Sequence, residues 1–362
     1  MKKTNFYSIH EKLGAKIVDF AGFQMPVLYS SIISEHKVVR NGVGVFDVSH
    51  MGEVFIRGDK ALDFIQHITI NDASALYDGR VQYSAMCYPD GGIVDDLLVY
   101  RISEKEYLLV VNASNKEKDV KWMKENNKFG AQIDDESDEF SLLAIQGPKS
   151  KDTLQKICDK TLDLEYYHLF KAKIAGFDAI VSRTGYTGEL GYEVYFKGDE
   201  ATAIKIWDAI FEAGKEFDIQ PVGLGARDSL RLEMGMCLYG NDIDQTTNPL
   251  EAGLGWITKL KKENFIAKDV LVKVKEDGLK RKLVGMISDE KTFPRHGYDL
   301  SLNGKVIGQV TSGTVSPILE KPIAMGYVPA ELSKEGSVVN FFIRGKEFPA
   351  KVVKFPFISK DK

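Results

Sequence analysis

Apolar residues recur at helical spacing in four stretches of the chain. The first stretch is the clearest, because Ile32, Ile33, His36 and Val39 follow that spacing and the pair Asn41-Gly42 supplies a stop. The predicted helices cover residues 31–40, 116–126 and 201–213, together with a segment that begins at Ala226.

Alternating patterns predict strands between the first two helices. Residues 83–88 and 93–101 are predicted to form a hairpin, because the connecting Pro89-Asp90-Gly91-Gly92 contains an Asp-Gly step that tolerates a positive φ. Residues 105–111 are predicted as a further strand. Residues 43–57 also look strand-like, but polar side chains interrupt the pattern more often than a core strand requires, which points to a functional role.

Short alternating strands dominate the chain after about residue 278. Asn303-Gly304 and Gly345-Lys346 stand where hairpin turns are expected, so this part predicts a small antiparallel barrel or sandwich of roughly 80 residues. A domain boundary is expected near residue 275. The predicted strands are residues 283–287, 305–311, 323–328, 338–343 and 349–355.

The composition is that of a compact globular protein. The 362 residues are 44% hydrophobic and 28% charged, which fits two or three domains. The 48 basic residues are nearly balanced by 52 acidic ones, and the resulting net charge of -4 disfavours nucleic acid as a partner. No secretory signal or membrane span is evident, and the cytoplasm is the predicted compartment. The three cysteines form no CxxC pair, which argues against a zinc site and a disulfide framework.

Two adjacent carboxylates, Asp95 and Asp96, open an otherwise apolar strand. Side chains alternate along a strand, so these carboxylates face opposite sides of the sheet. The arrangement does not suit a glycosidase pair, in which both carboxyls converge on one bond. Two interpretations stay open: a single acid that acts on a proton or a developing cation, and a solvated pair that closes the hairpin.

A glycine-rich segment, residues 182–193, carries three glycines spaced by three. Such spacing lets backbone approach a flat ligand closely, and Glu193 can accept two parallel hydrogen bonds from an amino-pyrimidine edge. The segment matches neither a phosphate loop nor a dinucleotide fingerprint, since no lysine follows it and no helix opens there. A hairpin with solvated glutamates is the competing interpretation.

Residues 223–235 begin like a GxGxxG motif but have Asp228 at the sixth position, so that match is rejected. The helical spacing that follows places Arg227 and Arg231 on one face, where two positive charges need anions beside them. A substrate carboxylate or an internal acid such as Glu233 can supply the anion. Arg227 is therefore a candidate for binding an acidic substrate tail, with an internal salt bridge as the alternative.

Weaker candidates complete the set. His50 could act as a general base, but no Ser or Cys nucleophile motif lies near it, which favours a hydrogen-bonded structural histidine. Met51, Tyr83, Tyr100 and Trp256 could wall an aromatic ligand or pack in the core. The residues alone predict a pocket with an acid, an arginine and aromatic side chains, and they do not name a reaction.

Six segments, taken in order, resemble the aminomethyltransferase family, the T-proteins of glycine cleavage systems. The resemblance extends from residues 12–15 to residues 356–357, and the ordered set is more specific than any one segment. The matching segments are residues 46–53, 91–96, 146–148, 183–193, 223–233 and 248–256.

The resemblance implies an α+β fold, a three-domain cloverleaf arrangement that binds folate and ends in an antiparallel β-barrel. Residues 1–275 would form a folate-binding region of two intertwined α+β domains, the second at roughly 53–140, and residues 276–362 would form the barrel. The implied reaction moves the methylene carbon of an aminomethyl group from lipoylated H-protein to tetrahydrofolate, with release of ammonia. Tetrahydrofolate is the co-substrate, the P- and L-proteins are pathway partners, and no metal, nucleic acid or membrane is implied.

The family's site residues carry over to this chain by position. The catalytic aspartate falls on Asp96, which would stabilise an iminium-like cation as the folate N5 nitrogen attacks. Glu193 would read the donor edge of the pterin, and Arg227 would bind the carboxylate-bearing tail. The folate-contacting positions are Met51, Tyr83, Asn112, Tyr186, Glu193 and Arg227.

Some positions depart from the family pattern. Met236 stands where some members carry a folate-channel aromatic residue, and residues 356–362 lack the terminal tyrosines of others. Arg295 aligns with a basic position that faces the carrier protein, although a surface arginine is the default. Two other functions stay open: a folate-dependent demethylase of a small methyl donor, and a non-enzymatic folate-binding protein that supports iron-sulfur assembly, whose characteristic cysteine motif is absent here.

Overall fold

The computed structural model describes residues 1–359, which form two compact units. Unit 1 consists of Met1–Gln66, Ala73–Tyr83 and Leu97–Asp228. Unit 2 consists of His67–Asp72, Ser84–Asp96 and the remaining described residues from Ser229 onward. The last three positions of the C-terminal stretch compared with the family tyrosines lie outside the described residues. The predicted domain limits, 1–275 and 276–362, stay predictions.

The helices confirm the predictions made from apolar spacing. Helix α2 begins after Ser31, whose hydroxyl accepts a hydrogen bond from the Ser34 amide at 3.1 Å and caps the first turn. Within residues 1–359 none of the helices has both the length and the apolar character needed to cross a membrane. The α-helices are α1 (Tyr7–Lys12), α2 (Ile32–Asn41), α3 (Ala61–Ile68), α4 (Lys116–Asn126), α5 (Ser150–Gln155), α6 (Glu200–Gly214), α7 (Leu224–Glu233) and α8 (Lys268–Asp277).

The strands fall into sheets of mixed size. Those before residue 200 are β1 (Lys16–Phe20), β2 (Phe23–Leu28), β3 (Gly44–Asp47), β4 (Gly52–Arg57), β5 (Val81–Cys87), β6 (Ile93–Ser103), β7 (Glu106–Val111), β8 (Gln132–Asp135), β9 (Phe140–Gln146), β10 (Leu169–Ile174), β11 (Phe177–Ser182) and β12 (Gly191–Lys197). The later ones are β13 (Gln220–Pro221), β14 (Arg281–Ile287), β15 (Asp299–Leu302), β16 (Lys305–Val315), β17 (Pro322–Pro329), β18 (Val338–Ile343) and β19 (Lys346–Val353).

A six-stranded sheet in the order β10-β11-β12-β9-β3-β13 forms the main layer of unit 1. One face of it packs on α1 and α6 through a core that includes Phe6, Val194, Phe196 and Trp207. A second sheet has the order β5-β6-β7-β4-β8. The prediction of one strand-like stretch over residues 43–57 is wrong, because the polar residues between β3 and β4 form a turn and the two strands join different sheets.

The other face of the six-stranded sheet meets strand β4. Phe55 of β4 stacks on Phe140 of β9, with ring centroids 5.8 Å apart and planes inclined by 26°. The Lys197 ammonium of β12 also lies over the Phe140 ring, 5.0 Å from its centroid. Because side chains alternate along strands, residues two or four positions from Phe55 and Lys197 also point into this layer. The layer therefore contains Glu53 of β4 together with Glu193 and Tyr195 of β12.

The C-terminal strands of unit 2 close into a barrel in the order β14-β17-β16-β15-β18-β19, which confirms the predicted antiparallel barrel. Strand β15 was not predicted; only four residues long, it is too short to show an alternating pattern. Asn303 and Gly304 have φ values of 51° and 73°, as a two-residue hairpin turn requires. The second turn lies at Arg344 and Gly345, one residue earlier than predicted, with φ values of 52° and 79°.

The predicted hairpin between β5 and β6 is confirmed, and its tip lies in unit 2. Gly91 has a φ of 93°, and the Tyr88 amide donates to the Gly92 carbonyl at 2.8 Å. Gly92 is pressed against the backbone of Gln245: an added Cβ would lie 2.0 Å from that carbonyl oxygen. The direction in which β6 leaves the turn therefore depends on the absence of a side chain at position 92.

We expect Gly92→Ala to lower the free energy of unfolding by about 2 kcal/mol or more, because the Gln245 backbone has to move. Gly255→Ala in the same unit is the matched control, since its Cβ would meet only the Leu250 side chain at 3.7 Å. Chemical denaturation of both variants measures the difference. Equal stability of the two variants would contradict the proposed close contact.

Candidate functional site

A buried carboxylate fixes the turn that leads into β4. Asp47 at the end of β3 is 2% exposed and accepts hydrogen bonds from the hydroxyls of Thr4 and Ser49, both at 2.6 Å. Its Oδ2 also lies 3.0 Å from His10 Nε2, and the Tyr29 hydroxyl lies 2.8 Å from His10 Nδ1. Burial alone would raise the pKa of Asp47, but the contacts with His10, Ser49 and Thr4 outweigh it and hold that pKa below its ordinary value.

His50 lies within this turn and is kept neutral. It is 3% exposed, and its ring meets the Phe20 ring edge-on with centroids 5.2 Å apart. Burial, followed by the positive charge of Arg227, lowers the pKa of His50 to about 4, although Asp47 acts in the opposite direction. Its Nδ1 has no hydrogen-bond partner among the described residues. The prediction of a hydrogen-bonded structural histidine therefore finds no support at Nδ1.

Two predicted folate-contacting residues, Arg227 and Tyr186, are brought together in unit 1. The Arg227 guanidinium carbon lies 4.7 Å from the centroid of the Tyr186 ring. Both side chains are partly exposed. A guanidinium that lies over an aromatic ring directs its N–H groups outward in its own plane, where a carboxylate can accept two hydrogen bonds from them. This pair therefore provides a cationic position bordered by a flat apolar surface.

The glycine-rich segment, residues 182–193, packs against the Gln146 side chain. Added Cβ atoms at Gly185 and Gly191 would lie 2.2 Å and 2.4 Å from the Gln146 side chain. The Gln146 amide donates to the Thr184 carbonyl at 3.2 Å and accepts from the Thr187 hydroxyl at 2.8 Å. Two of the spaced glycines thus make room for Gln146, a role that differs from the predicted approach to a ligand.

Glu193 lies in the layer between the two sheets and is 8% exposed, so the interpretation as a solvated glutamate is wrong. Its Oε2 accepts hydrogen bonds from the hydroxyls of Thr184, Tyr195 at 3.3 Å and Tyr100 at 3.4 Å. The two tyrosine hydroxyls are themselves 2.8 Å apart. Because these hydroxyls converge on Oε2, a ligand that binds this carboxylate has Oε1 available to it. No local pattern predicts that Tyr195 and Thr184 support Glu193, because these contacts form only when β11 and β12 pair.

A second carboxyl, that of Glu53, lies in the same layer. It is 1% exposed, and neither of its oxygens has a hydrogen-bond partner among residues 1–359. Burial raises the pKa of Glu53 well above its ordinary value; the charge of Lys116 opposes the shift, while Asp135 and Glu193 add to it. In the sequence, Glu53 is only one of several polar residues that interrupt the strand-like stretch over residues 43–57.

Met51 and Asn112 lie at the same end of two paired strands. Gly52 of β4 pairs with Val111 of β7, Met51 precedes the first and Asn112 follows the second. Tyr83 lies in β5 and is partly buried. All six predicted folate-contacting residues therefore belong to unit 1. Among them, Arg227 contacts Tyr186 directly, and Met51 and Asn112 lie at the same end of two paired strands.

The predicted catalytic residue, Asp96, belongs to the hairpin segment of unit 2. Asp95 is completely buried and Asp96 is partly exposed, as the predicted alternation requires. The interpretation of both residues as a solvated pair is therefore wrong. Asp96 is the more accessible carboxylate of the two.

Other candidates have structural roles in unit 2. Arg231 is 1% exposed and pairs with Asp242 at 2.7 Å, so an internal acid supplies an anion to this arginine, as one of the two alternatives predicted. Glu233 accepts a hydrogen bond from the Ser316 hydroxyl at 2.5 Å. Trp256 is 64% exposed, which excludes core packing for that residue.

The described residues contain no group of three or more His, Cys, Asp or Glu side chains able to hold a metal ion. Met236 is partly buried and Arg295 is exposed.

Two family profiles match the sequence over most of its length. Residues 6–262 match the profile described as the GCVT N-terminal domain. Residues 281–358 match the glycine cleavage T-protein C-terminal barrel domain, the part of the chain that forms the closed barrel.

Two relatives that match nearly the whole of this chain are both named aminomethyltransferase. The aminomethyltransferase of Halothermothrix orenii is 50% identical over 359 residues, which cover 99% of this chain and 100% of that protein. The aminomethyltransferase of Flavobacterium psychrophilum is 53% identical with the same coverage. The crystal structure of the glycine cleavage system aminomethyltransferase T from Bartonella henselae matches with a TM-score of 0.92 at 34% identity, over 99% of this chain and 98% of that one. This likeness confirms the predicted α+β fold class.

The buried His50 predicts a loss of stability in acid. Below pH 6.5 the unfolded chain binds a proton that the folded protein does not bind until about pH 4, so stability falls as the pH decreases through this window. The full effect is about 3 kcal/mol. We expect His50→Gln to lose less stability than the unsubstituted protein between pH 7 and pH 4.5, as measured by chemical denaturation.

The exposed His296 provides the control for this measurement. His296→Gln should retain the acid-induced loss of the unsubstituted protein. If His50→Gln lost as much stability in acid as His296→Gln, His50 would not be the group responsible.

Proposed function

The chain belongs to the glycine cleavage T-protein family of aminomethyltransferases, and we propose that it transfers the methylene carbon of an aminomethyl group from lipoylated H-protein to tetrahydrofolate. The products are 5,10-methylenetetrahydrofolate, ammonia and the reduced lipoyl arm. The observation that carries the proposal is the match to aminomethyltransferases over the full length of the chain. The Arg227–Tyr186 pair supports tetrahydrofolate as the acceptor, because it combines a cation with a ring face.

Each part of tetrahydrofolate has a candidate partner in unit 1. Arg227 binds the carboxylate tail, and the adjacent Tyr186 ring packs on an aromatic part of the substrate. Glu193 accepts a hydrogen bond from the amino-pyrimidine ring through Oε1, while the hydroxyls on Oε2 hold the carboxylate in place. Met51, Tyr83 and Asn112 complete the proposed contacts.

The proposed reaction balances without an oxidant or a metal. Two bonds form, from the folate N5 and N10 to the methylene carbon, and two bonds break, from that carbon to nitrogen and to sulfur. The protons released from N5 and N10 leave with ammonia and with the lipoyl thiol. Asp96 stabilises the cationic carbon between these steps and accepts or returns a proton near N5.

An assay that follows ammonia and methylenetetrahydrofolate tests the proposal. We expect turnover with aminomethylated H-protein plus tetrahydrofolate, and none when either is omitted. Turnover of a small methylamine or sulfonium donor without H-protein would instead favour a demethylase. Folate binding without turnover of any donor would favour the non-enzymatic alternative.

Asp96→Asn is the sharpest test of the catalytic assignment. The substitution keeps the shape of the side chain and removes its charge, so we expect kcat to fall by about 100-fold or more while the Kd for tetrahydrofolate stays nearly unchanged. Asp90→Asn is the matched control, because Asp90 is exposed at the tip of the same hairpin. Ordinary rates in the Asp96 variant would remove that residue from the mechanism.

A further inference from the structure

The layer between the two sheets of unit 1 contains a carboxyl that the proposed contacts do not use. Phe55 and Lys197 both pack on Phe140, and they show that β4 and β12 contribute side chains to this layer. Glu53 lies two residues before Phe55, and Glu193 lies four residues before Lys197. Strand alternation therefore directs both carboxyls into the same buried space.

The two carboxyls differ in their partners. Oε2 of Glu193 accepts from three hydroxyls, whereas neither oxygen of Glu53 has a partner among the described residues. A buried polar group without a hydrogen bond is destabilising, and an unpaired buried carboxylate is more so. If Glu53 had only a packing role, a leucine at this position would supply the same packing without the free-energy cost of burying an unpaired carboxyl.

The charged groups around Glu53 favour its neutral form. Lys116 of α4 opposes protonation, but Asp135 of β8 and Glu193 of β12 both favour it, in addition to burial. A neutral carboxyl offers one O–H donor and one carbonyl acceptor side by side. That pair of groups is complementary to a cyclic amide, which presents a carbonyl acceptor beside an N–H donor.

We propose that the Glu53 carboxyl binds the ring amide of the substrate's amino-oxo-pyrimidine, as a further binding residue beside Glu193. The inference rests on the tetrahydrofolate-dependent function proposed above. Glu53 donates its O–H to the ring carbonyl and accepts from the neighbouring ring N–H, while the Glu193 carboxylate accepts from the ring's amino side. The two acids therefore bind different edges of the ring.

Binding of tetrahydrofolate and of 6-methyltetrahydropterin, which keeps the ring and lacks the carboxylate tail, tests this role. We expect Glu53→Leu to weaken both ligands by a similar factor of about ten or more, because the ring loses two hydrogen bonds. Glu53→Gln keeps one donor and one acceptor and should bind within about threefold of the unsubstituted protein.

A buried threonine of the same unit supplies the control. Thr153 is fully buried and its hydroxyl has no hydrogen-bond partner among the described residues, so Thr153→Val also removes an unpartnered oxygen. It should leave the affinity for both ligands unchanged. If Glu53→Leu behaved like Thr153→Val, with unchanged affinity and a gain in stability, Glu53 would be structural and the inference would fail.

The pH dependence of binding gives a second readout that does not require the leucine variant to fold. The unsubstituted protein should lose affinity for 6-methyltetrahydropterin as Glu53 ionises at rising pH, and Glu53→Gln should lack that component. Identical pH profiles would overturn the inference. Failure of the unsubstituted protein to bind tetrahydrofolate at all would instead overturn the proposed function, so the two failures are distinguishable.

Discussion

The buried Asp47 carboxylate is the interaction on which the candidate site depends. It joins the N-terminal segment at Thr4 and His10 to the end of β3, and its contact with Ser49 shapes the turn that leads into β4. Breaking such a network is costly, because each partner removed leaves another buried polar group without a counterpart. The position of the turn residues therefore depends on a contact between residues 43 positions apart in the chain.

Burial and neighbouring charges decide which protonation state is favoured for two side chains of unit 1. Burial and the charge of Arg227 keep His50 neutral, and burial together with neighbouring acids favours a neutral Glu53. Glu193 is supported by hydroxyl groups instead of a cation. These groups suit a flat polar ligand with an acidic tail. They are a cation beside an aromatic ring, a carboxylate that accepts hydrogen bonds from hydroxyls, and an acid whose neutral form is favoured.

Residues that form one motif in the sequence serve different purposes in the structure. Arg227 and Arg231 lie one turn apart in α7, yet Arg231 is neutralised by Asp242 while Arg227 lies over the Tyr186 ring. The glycines of residues 182–193 make room for the Gln146 side chain. Segments that mark the family in the sequence thus include residues that stabilise the fold.

The sequence by itself determined the elements whose signals are local. The helices over residues 31–40 and 116–126, the hairpin before Asp95 and most barrel strands follow from periodicity and turn residues a few positions apart. The alternation of side chains along a strand also predicts that Asp95 and Asp96 point to opposite sides of the sheet. Tertiary structure alone decided that Glu53 and Glu193 share a buried layer, because burial, hydrogen-bond partners and pKa depend on strands that are distant in the chain and adjacent only after folding.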